Sequence, residues 1–164
     1  MIDANLRVFR RRPIVDQESG RAIGWARGPR IRTMLSISDL DDHEVLLRVT
    51  YKRHRWTAHA LDHEIAIVPT VRRGENRTPW TWTGWVLDGG ERELAYISQG
   101  TVVAASDRTP MATLTVQSSR WRNDCAGTWT IRIKEDAGMR YRIAALAWLG
   151  IAFDLQFARD WLDD

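Results

Sequence analysis

Apolar and polar residues alternate with a period of two over most of the chain before residue 134. In the segment 31–38, Ile31, Thr33, Leu35 and Ile37 occupy every second position. Successive side chains of a strand point to opposite faces of a sheet, so this spacing predicts half-buried β-strands. Further short strands, rich in β-branched and aromatic residues, are predicted at 45–51, 56–61, 65–71, 80–87, 94–98, 101–106, 111–117 and 128–133.

Turn-forming residues separate the predicted strands. An apolar strand end, an aspartate, a few turn residues and a new apolar strand recur in IVDQESGRAIGWA, LDGGERELAYI and ASDRTPMATLTV. Asp, Asn and Gly make local hydrogen bonds and tolerate positive φ angles, so each segment is typical of a β-hairpin. Many short strands linked in this way predict an antiparallel sandwich or barrel.

The C-terminal segment has a different character. After Gly138 the chain reads MRYRIAALAWLGIAFDLQFARDWLDD, and residues 143–153 contain no polar side chain. Ala and Leu dominate and no proline interrupts, which predicts a single helix with Asp136 as its N-terminal cap. Arg140 and Arg142 lie near the start of this helix, where a positive charge opposes the macrodipole. The helix therefore depends on packing for its stability.

A helix that is apolar on all sides must be buried on all sides, in lipid or in protein. The 11 residues 143–153 rise about 16 Å, whereas a bilayer core is about 30 Å thick. Extension to Phe157 adds Asp154, whose charge is costly in lipid. Burial in protein is favoured, so residues 1–164 are predicted to form one domain, a closed antiparallel β-barrel that encloses a hydrophobic C-terminal helix. The residues expected to define this central helix are Ile143, Leu146, Trp148, Leu149, Ile151, Phe153 and Asp154.

Composition and charge narrow the class of protein. Cys125 is the only cysteine, which excludes an intrachain disulfide and a cysteine-based zinc cluster. The opening MIDANLRVFRRRP has no apolar h-region, so we expect a cytoplasmic protein. Residues 1–56 carry 12 basic and 7 acidic side chains, whereas residues 57–164 carry 12 and 14. A basic first third suits an anionic surface such as a phosphoinositide membrane or nucleic acid, although a solvated surface of mixed charge would show the same bias.

Three segments give the chain a resemblance to the tubby-like superfamily, in particular to its phospholipid scramblase and LURP-one-related branches. The early hairpin Phe9…IVDQESGRAIGW is similar to the family's strand–Asp–x–x–Gly–strand opening, and GTWTIRI is similar to its late strand before the helix. RYRIAALAWLGIAFDLQF is similar to the family's basic-then-apolar terminal helix, with Asp154 near its end. The resemblance covers nearly the whole chain and implies a closed barrel of about twelve strands around a central helix.

The resemblance also implies binding of phospholipid head groups, but some features of the family are missing. Scramblases carry a cysteine cluster for acylation, and this chain has only Cys125. They also carry an acidic, calcium-loop-like segment before the helix, which RNDCAGTWTIRIKED matches poorly. Calcium-driven lipid scrambling is therefore not expected. No specific basic site of tubby domains can be aligned with this sequence.

The densest basic run is YKRHRW at residues 51–56. Our hypothesis is an anionic head-group site, in which Lys52, Arg53 and Arg55 hold phosphate and Trp56 dips into the membrane interface. The alternative is an exposed hairpin turn without a ligand. A second basic run, which would either add to a lipid site or guard a sheet edge by its charge, consists of Arg10, Arg11 and Arg12.

Nine tryptophans are many for this length, and three of them lie close together at Trp80, Trp82 and Trp85. Trp80 and Trp82 fall on the same face of the predicted strand 80–87. If they are exposed, the three would form an aromatic platform for a small ligand or a carbohydrate. If they are buried, they pack on the terminal helix, which is the favoured interpretation.

The sequence contains no nucleophile elbow, P-loop or dinucleotide fingerprint, so we expect neither enzyme activity nor a cofactor. His59 and His63 are spaced like metal ligands on a helix, but the surrounding pattern predicts strand, turn and strand, and no metal site is expected.

The predicted function is a non-enzymatic module, peripheral at a membrane, that binds an anionic lipid or a protein partner rather than nucleic acid. The alternatives are a small-ligand or carbohydrate-binding barrel and a membrane-inserted, scramblase-like protein.

Overall fold

The computed structural model describes the backbone of residues 2–5, 12–16, 22–27, 34–38, 46–60, 62–70, 78–117 and 128–162, and side chains within 47–60, 62–70, 78–115 and 130–152. The described chain is mainly β-structure followed by one helix. The elements are β1 (Ile2–Asn5), β2 (Arg12–Asp16), β3 (Ala22–Arg27), β4 (Met34–Ser38), β5 (Leu46–Lys52), β6 (Arg55–Ala60), β7 (His63–Pro69), β8 (Gly84–Asp88), β9 (Arg92–Ser98), β10 (Thr101–Ala104), β11 (Pro110–Gln117), β12 (Thr128–Ile133) and α1 (Met139–Leu162).

The eight strands β5 to β12 form a curled antiparallel sheet in which each strand pairs with its neighbours in sequence. One line of paired positions runs across five strands through Trp56, Ile67, Val86, Ala95 and Ala104. All five side chains are buried, so this line lies on the inner, apolar face. The prediction of a mainly β-protein with one C-terminal helix is confirmed, and the period of two reflects the inner and outer faces of this sheet.

The start of β8 differs from the prediction, because residues 78–81 form a turn instead of the beginning of a strand. The Thr78 carbonyl accepts the backbone N–H of Thr81 at 3.1 Å and that of Trp82 at 2.9 Å. The Thr78 N–H in turn donates to the Thr81 hydroxyl at 3.0 Å. The regular strand therefore begins only at Gly84.

Helix α1 begins at Met139, and the Gly138 carbonyl accepts its first intrahelical bond from the Arg142 N–H at 3.1 Å. The expected cap, Asp136, lies two residues before Gly138 and pairs with Lys134 at 3.4 Å. The prediction of Asp136 as the cap is therefore wrong: the helix starts too late for its carboxylate to occupy the capping position.

The two arginines of the first helical turn have partners outside the helix. Arg142 donates from Nε to the Ala137 carbonyl at 3.0 Å and from Nη2 to the Glu135 carbonyl at 3.3 Å. Arg140 reaches across to β8, where its Nη1 lies 2.9 Å from Asp88 Oδ2. These contacts fix the segment that joins β12 to the helix and offset the unfavourable position of the charges near the macrodipole.

The middle of α1 is buried around nearly its whole circumference. Between residues 143 and 152, only Leu146 is half-buried, and it too packs against the core. The helix packs on β5, β6, β7, β11 and β12. Trp148 is fully buried and donates its indole N–H to the Gly100 carbonyl at 3.1 Å. Within the described residues, no helix combines the length and the apolarity that crossing a bilayer would require.

Candidate functional site

The turn between β5 and β6 is the most unusual backbone element in the described part of the chain. Lys52 pairs with Arg55, which leaves Arg53 and His54 as a two-residue loop. Their φ angles are 52° and 63°. A two-residue hairpin loop with two positive φ angles usually contains Asn and Gly, because other residues pay about 1–2 kcal/mol each there. Here the chain places a cation and an imidazole in these positions.

The turn presents its polar side chains to solvent. Lys52, Arg53 and His54 are exposed. His54 is tied to the strand before it, because its Nδ1 lies 3.3 Å from the Tyr51 hydroxyl and the two rings meet edge to face. Within the described residues, neither Lys52 nor Arg53 has an ion-pair partner. Both cations are exposed and thus accessible to an external anion.

Arg55 is only partly available to a ligand. It is half-buried and donates from Nη2 to the Gly90 carbonyl at 3.2 Å. Its Nε is buried and has no hydrogen-bond partner among the described residues. The head-group hypothesis included Arg55 beside Arg53, but the structure directs part of its guanidinium toward the turn that joins β8 and β9.

Trp56 does not reach the surface, contrary to the hypothesis that it dips into a membrane interface. Its side chain is 8% exposed. The indole packs against Tyr51 with ring centroids 4.6 Å apart and against Trp82 with centroids 5.8 Å apart. Because Trp56 lies opposite Ile67 on the inner face of the sheet, its position is set by the core.

The three clustered tryptophans do not form one platform. Trp82 is fully buried and stacks on Trp148 of the helix at 5.0 Å, whereas Trp80 and Trp85 are 43% and 36% exposed. The expectation that Trp80 and Trp82 share a strand face is wrong, because both precede the strand: Trp80 lies within the turn at 78–81 and Trp82 follows it. Trp82 thus fits the interpretation of packing on the helix, and in the described part of the chain its indole Nε1 has no hydrogen-bond partner.

The exposed tryptophans lie near one end of the sheet, together with the basic turn. Because neighbouring strands run in opposite directions, this end carries the β5–β6 turn, residues 78–83 and the turn at 99–100. It is termed the cationic end. Among the described side chains it carries Lys52 and Arg53 and no Asp or Glu, whereas the guanidinium of Arg55 reaches the β8–β9 turn.

The opposite end, termed the acidic end, collects the carboxylates. It carries the β6–β7, β8–β9 and β10–β11 turns and the start of α1. Cations at this end include Arg140 and Lys134, which pair with Asp88 and Asp136. The acidic side chains described in this structure all lie at or near this end: Asp62, Glu64, Asp88, Glu91, Glu93, Asp107, Glu135 and Asp136.

The two histidines with metal-like spacing each face a nearby acid. His59 Nδ1 on β6 lies 3.7 Å from Glu64 Oε2 on β7, and His63 Nε2 lies 3.6 Å from Asp62 Oδ1. In the part of the chain that the structure describes, no group of three or more potential ligands is arranged to hold a metal ion.

The remaining predicted residues divide between the described and undescribed parts. Ile143, Trp148, Leu149 and Ile151 are buried in the core, and Leu146 packs against it. Phe153 and Asp154 belong to α1, but their side chains lie outside the described residues, as do Arg10 and Arg11. Arg12 is the first residue of β2, and only its backbone is described.

Sequence reasoning missed the separation of charge between the two ends. The signal was present, since in an antiparallel sheet alternate turns lie at the same end. Sorting the acidic residues by alternate turns would have placed Asp62, Asp88 and Asp107 at one end of the sheet and the YKRHRW turn at the other.

Comparison of the chain with protein-family models, with curated proteins and with solved structures yields no match.

Proposed function

We propose that the chain is a tubby-like barrel, in which β1 to β4 complete the wall begun by β5 to β12. Two observations support closure. Residues 143–152 of the helix are buried around nearly the whole circumference, which a half-barrel alone would leave open on one side. The backbone of β1 pairs with β12, and that of β4 pairs with β5, so the first four strands extend both edges of the curled sheet.

A truncation tests this architecture. A chain that ends at Gly138 lacks α1, so the inner face of the sheet loses the helix that packs on it. We expect loss of cooperative unfolding in urea, followed by circular dichroism, because the buried aromatic and aliphatic side chains lose their partners. A truncated chain that still unfolds cooperatively at a similar urea midpoint would contradict the enclosed helix.

We also propose that the protein binds the head groups of anionic phospholipids through the β5–β6 turn. The observation that carries this proposal is the pair of exposed cations Lys52 and Arg53, which have no ion-pair partner among the described residues and lie at an end without described carboxylates. Arg offers a planar, bidentate donor set for phosphate, and Lys adds a compact charge. Because the two-residue loop is held in a fixed conformation, little ordering is needed when an anion binds.

The physical role of the turn is electrostatic. Each Lys or Arg near an anionic membrane surface contributes about 1 kcal/mol to binding, and the attraction falls off within a Debye length. The acidic end would be repelled by the same surface, so the separation of charge orients the protein as it approaches. Arg55, which is held by the Gly90 carbonyl, is expected to contribute less than Lys52 and Arg53.

Vesicle flotation tests the proposal. The protein is mixed with phosphatidylcholine vesicles, with or without phosphatidylserine and a phosphoinositide, at low and at physiological salt. We expect binding only to the anionic vesicles, and we expect Lys52→Glu/Arg53→Glu to weaken it by at least about thirtyfold, since two favourable contributions are lost.

The matched control is Arg92→Glu/Arg132→Glu, which makes the same change in net charge. Both residues are exposed and lie on the half of the sheet nearer the acidic end. We expect this variant to retain most of the binding. If the two double variants bound equally well, net charge alone would govern the interaction and the turn would not be the site. If the unaltered protein bound neither type of vesicle, the proposed function would be wrong.

A further inference from the structure

Two large aromatic side chains are exposed on the same half of the molecule as the basic turn. Trp80 is 43% exposed and Trp85 is 36% exposed. Trp80 lies in the turn at 78–81, at the cationic end, and Trp85 is the second residue of β8, counted from that end. The other exposed large apolar side chain among the described residues, Met139, lies at the acidic end.

Trp80 is held in place although it is exposed. Its turn is closed by hydrogen bonds between Thr78 and Thr81. Its indole lies so close to Gly100 that a Cβ on this glycine would be 2.5 Å from Cζ3 of the ring. The ring therefore rests against the neighbouring turn while the residue as a whole stays exposed.

Trp85 belongs to an apolar row on the outer face of the sheet. It pairs with Val68 on one side and with Tyr96 on the other, where the ring centroids are 4.8 Å apart. Tyr96 pairs in turn with Val103 of β10. Because Val68, Tyr96 and Val103 are half-buried and face outward with Trp85, the row forms a continuous apolar strip across four strands.

The register brings this strip close to the basic turn. Trp56 pairs with Ile67, so the next position along β6, Arg55, lies beside Val68. Trp85 is then two strands from Arg55, which corresponds to about 10 Å at the usual spacing of strands. Val68, at the end of the apolar strip, therefore lies beside the base of the basic turn.

Charge complementarity and aromatic chemistry together favour a lipid bilayer as the occupant of this surface. A soluble anion would contact Lys52 and Arg53 but would leave both indoles in water. Tryptophan and tyrosine have an apolar ring with one polar group, and they concentrate at the boundary between head groups and acyl chains. An anionic bilayer offers both the negative charge and the apolar boundary in one plane.

We propose that Trp80 and Trp85 enter the interface of an anionic bilayer beside the β5–β6 turn, so that the domain lies with its cationic end against the membrane. This inference rests on the proposed head-group function. It assigns to Trp80 and Trp85 the anchoring role that the buried Trp56 cannot perform.

Fluorine NMR of protein labelled with 5-fluorotryptophan tests the inference without altering the fold. The resonances of Trp80 and Trp85 are assigned from Trp80→Phe and Trp85→Phe. Anionic vesicles that contain a nitroxide-labelled lipid should broaden both resonances, while the buried Trp82 and Trp148 serve as internal references. In the opposite result, the protein floats with the vesicles while Trp80 and Trp85 broaden no more than these references. That result would overturn the inference but would leave the head-group function standing.

A binding comparison separates anchoring from head-group recognition. Trp80→Ala/Trp85→Ala should reduce binding to anionic vesicles by at least about fivefold, while binding to the soluble head group inositol 1,4,5-trisphosphate is unchanged. Lys52→Glu/Arg53→Glu should reduce both. Equal losses of vesicle and trisphosphate binding in the tryptophan variant would contradict anchoring, as would unchanged binding to vesicles. Absence of any binding by the unaltered protein would overturn both proposals. Each variant is first compared with the unaltered protein by thermal unfolding.

Discussion

Substitution of Gly100 by alanine tests how closely the turn at 99–100 is packed against Trp80. The φ angle of Gly100 is 75°, and an added Cβ would lie 2.5 Å from Cζ3 and 2.9 Å from Cε3 of the Trp80 ring. The positive φ costs about 1–2 kcal/mol for a residue with a Cβ. Displacement of the indole adds about 1–3 kcal/mol, the usual cost of overpacking. We therefore expect Gly100→Ala to lower the free energy of unfolding by about 2–5 kcal/mol.

Gly89→Ala is the matched control for this substitution. The φ angle of Gly89 is 61°, and an added Cβ would meet no atom within 4 Å. Gly89→Ala thus carries the cost of the backbone conformation without the clash, and we expect it to be less destabilising by about 1–3 kcal/mol. Urea unfolding, followed by circular dichroism in the far ultraviolet, measures both free energies on the same scale.

A double-mutant cycle with Trp80→Ala completes the test. Once the indole is removed, Gly100→Ala should cost only about as much as Gly89→Ala, so the two substitutions are coupled by about 1–3 kcal/mol. If Gly100→Ala and Gly89→Ala destabilised the protein equally, or if the cycle showed no coupling, the contact between Trp80 and the turn would not exist as described.

Three further outcomes follow from individual contacts. Trp148→Ala should lower the free energy of unfolding in urea by about 3–5 kcal/mol, and Trp148→Phe, which removes the indole N–H and part of the ring system, by about 1–2 kcal/mol; an unchanged free energy of unfolding in Trp148→Phe would show that its hydrogen bond adds nothing. A double-mutant cycle of Arg140→Ala with Asp88→Ala should give a coupling of about 0.5–1 kcal/mol, because Arg140 is half-exposed; a coupling of zero would mean that the pair does not form. The pKa of Asp107 lies below its ordinary 3.8 because the Thr109 backbone N–H and hydroxyl donate to the carboxylate, so this contribution to stability is present above pH 3.8 and is lost as the pH falls through the lowered pKa. NMR titration of the Asp107 carboxyl should show Thr109→Val moving its pKa back toward 3.8, and an unchanged titration would remove the hydroxyl from this explanation.

The sequence predicted the elements of this protein better than their relative positions. The period of two located the strands β5 to β7 and β9 to β12 within a few residues, because burial of one face imposes that period on any half-buried strand. The helix was evident from 143–153, since a fully apolar helix has few other interpretations. Both signals depend on residues close together in sequence.

Predictions at the candidate site failed where local geometry changed the direction of a side chain. Trp80 and Trp82 are two positions apart, but this spacing predicts a shared face only inside a strand. Here the turn at 78–81 precedes β8, so the rule does not apply. Trp56 was expected at the surface because it follows basic residues. Its direction is set instead by the pairing with Ile67, which a single sequence does not reveal.

The helix dipole offers a competing explanation for the separation of charge, and its short range decides against it. Contacts from Arg140 to Asp88 and from Tyr141 to the Leu94 carbonyl place the start of α1 at the acidic end, while Trp148 reaches Gly100 at the other. Acidic residues near the positive helix terminus are thus favourable. The dipole, however, acts within about one turn of each terminus and contributes about 0.3–1 kcal/mol per charge. Among the described residues, no hydrogen bond or ion pair joins Lys52 or Arg53 to α1, so we do not attribute these cations to the helix. A turn that holds Arg53 and His54 at positive φ costs folding energy, and its exposed side chains add nothing to the described core. This cost without a compensating gain in stability is the reason why we propose the turn as a binding site.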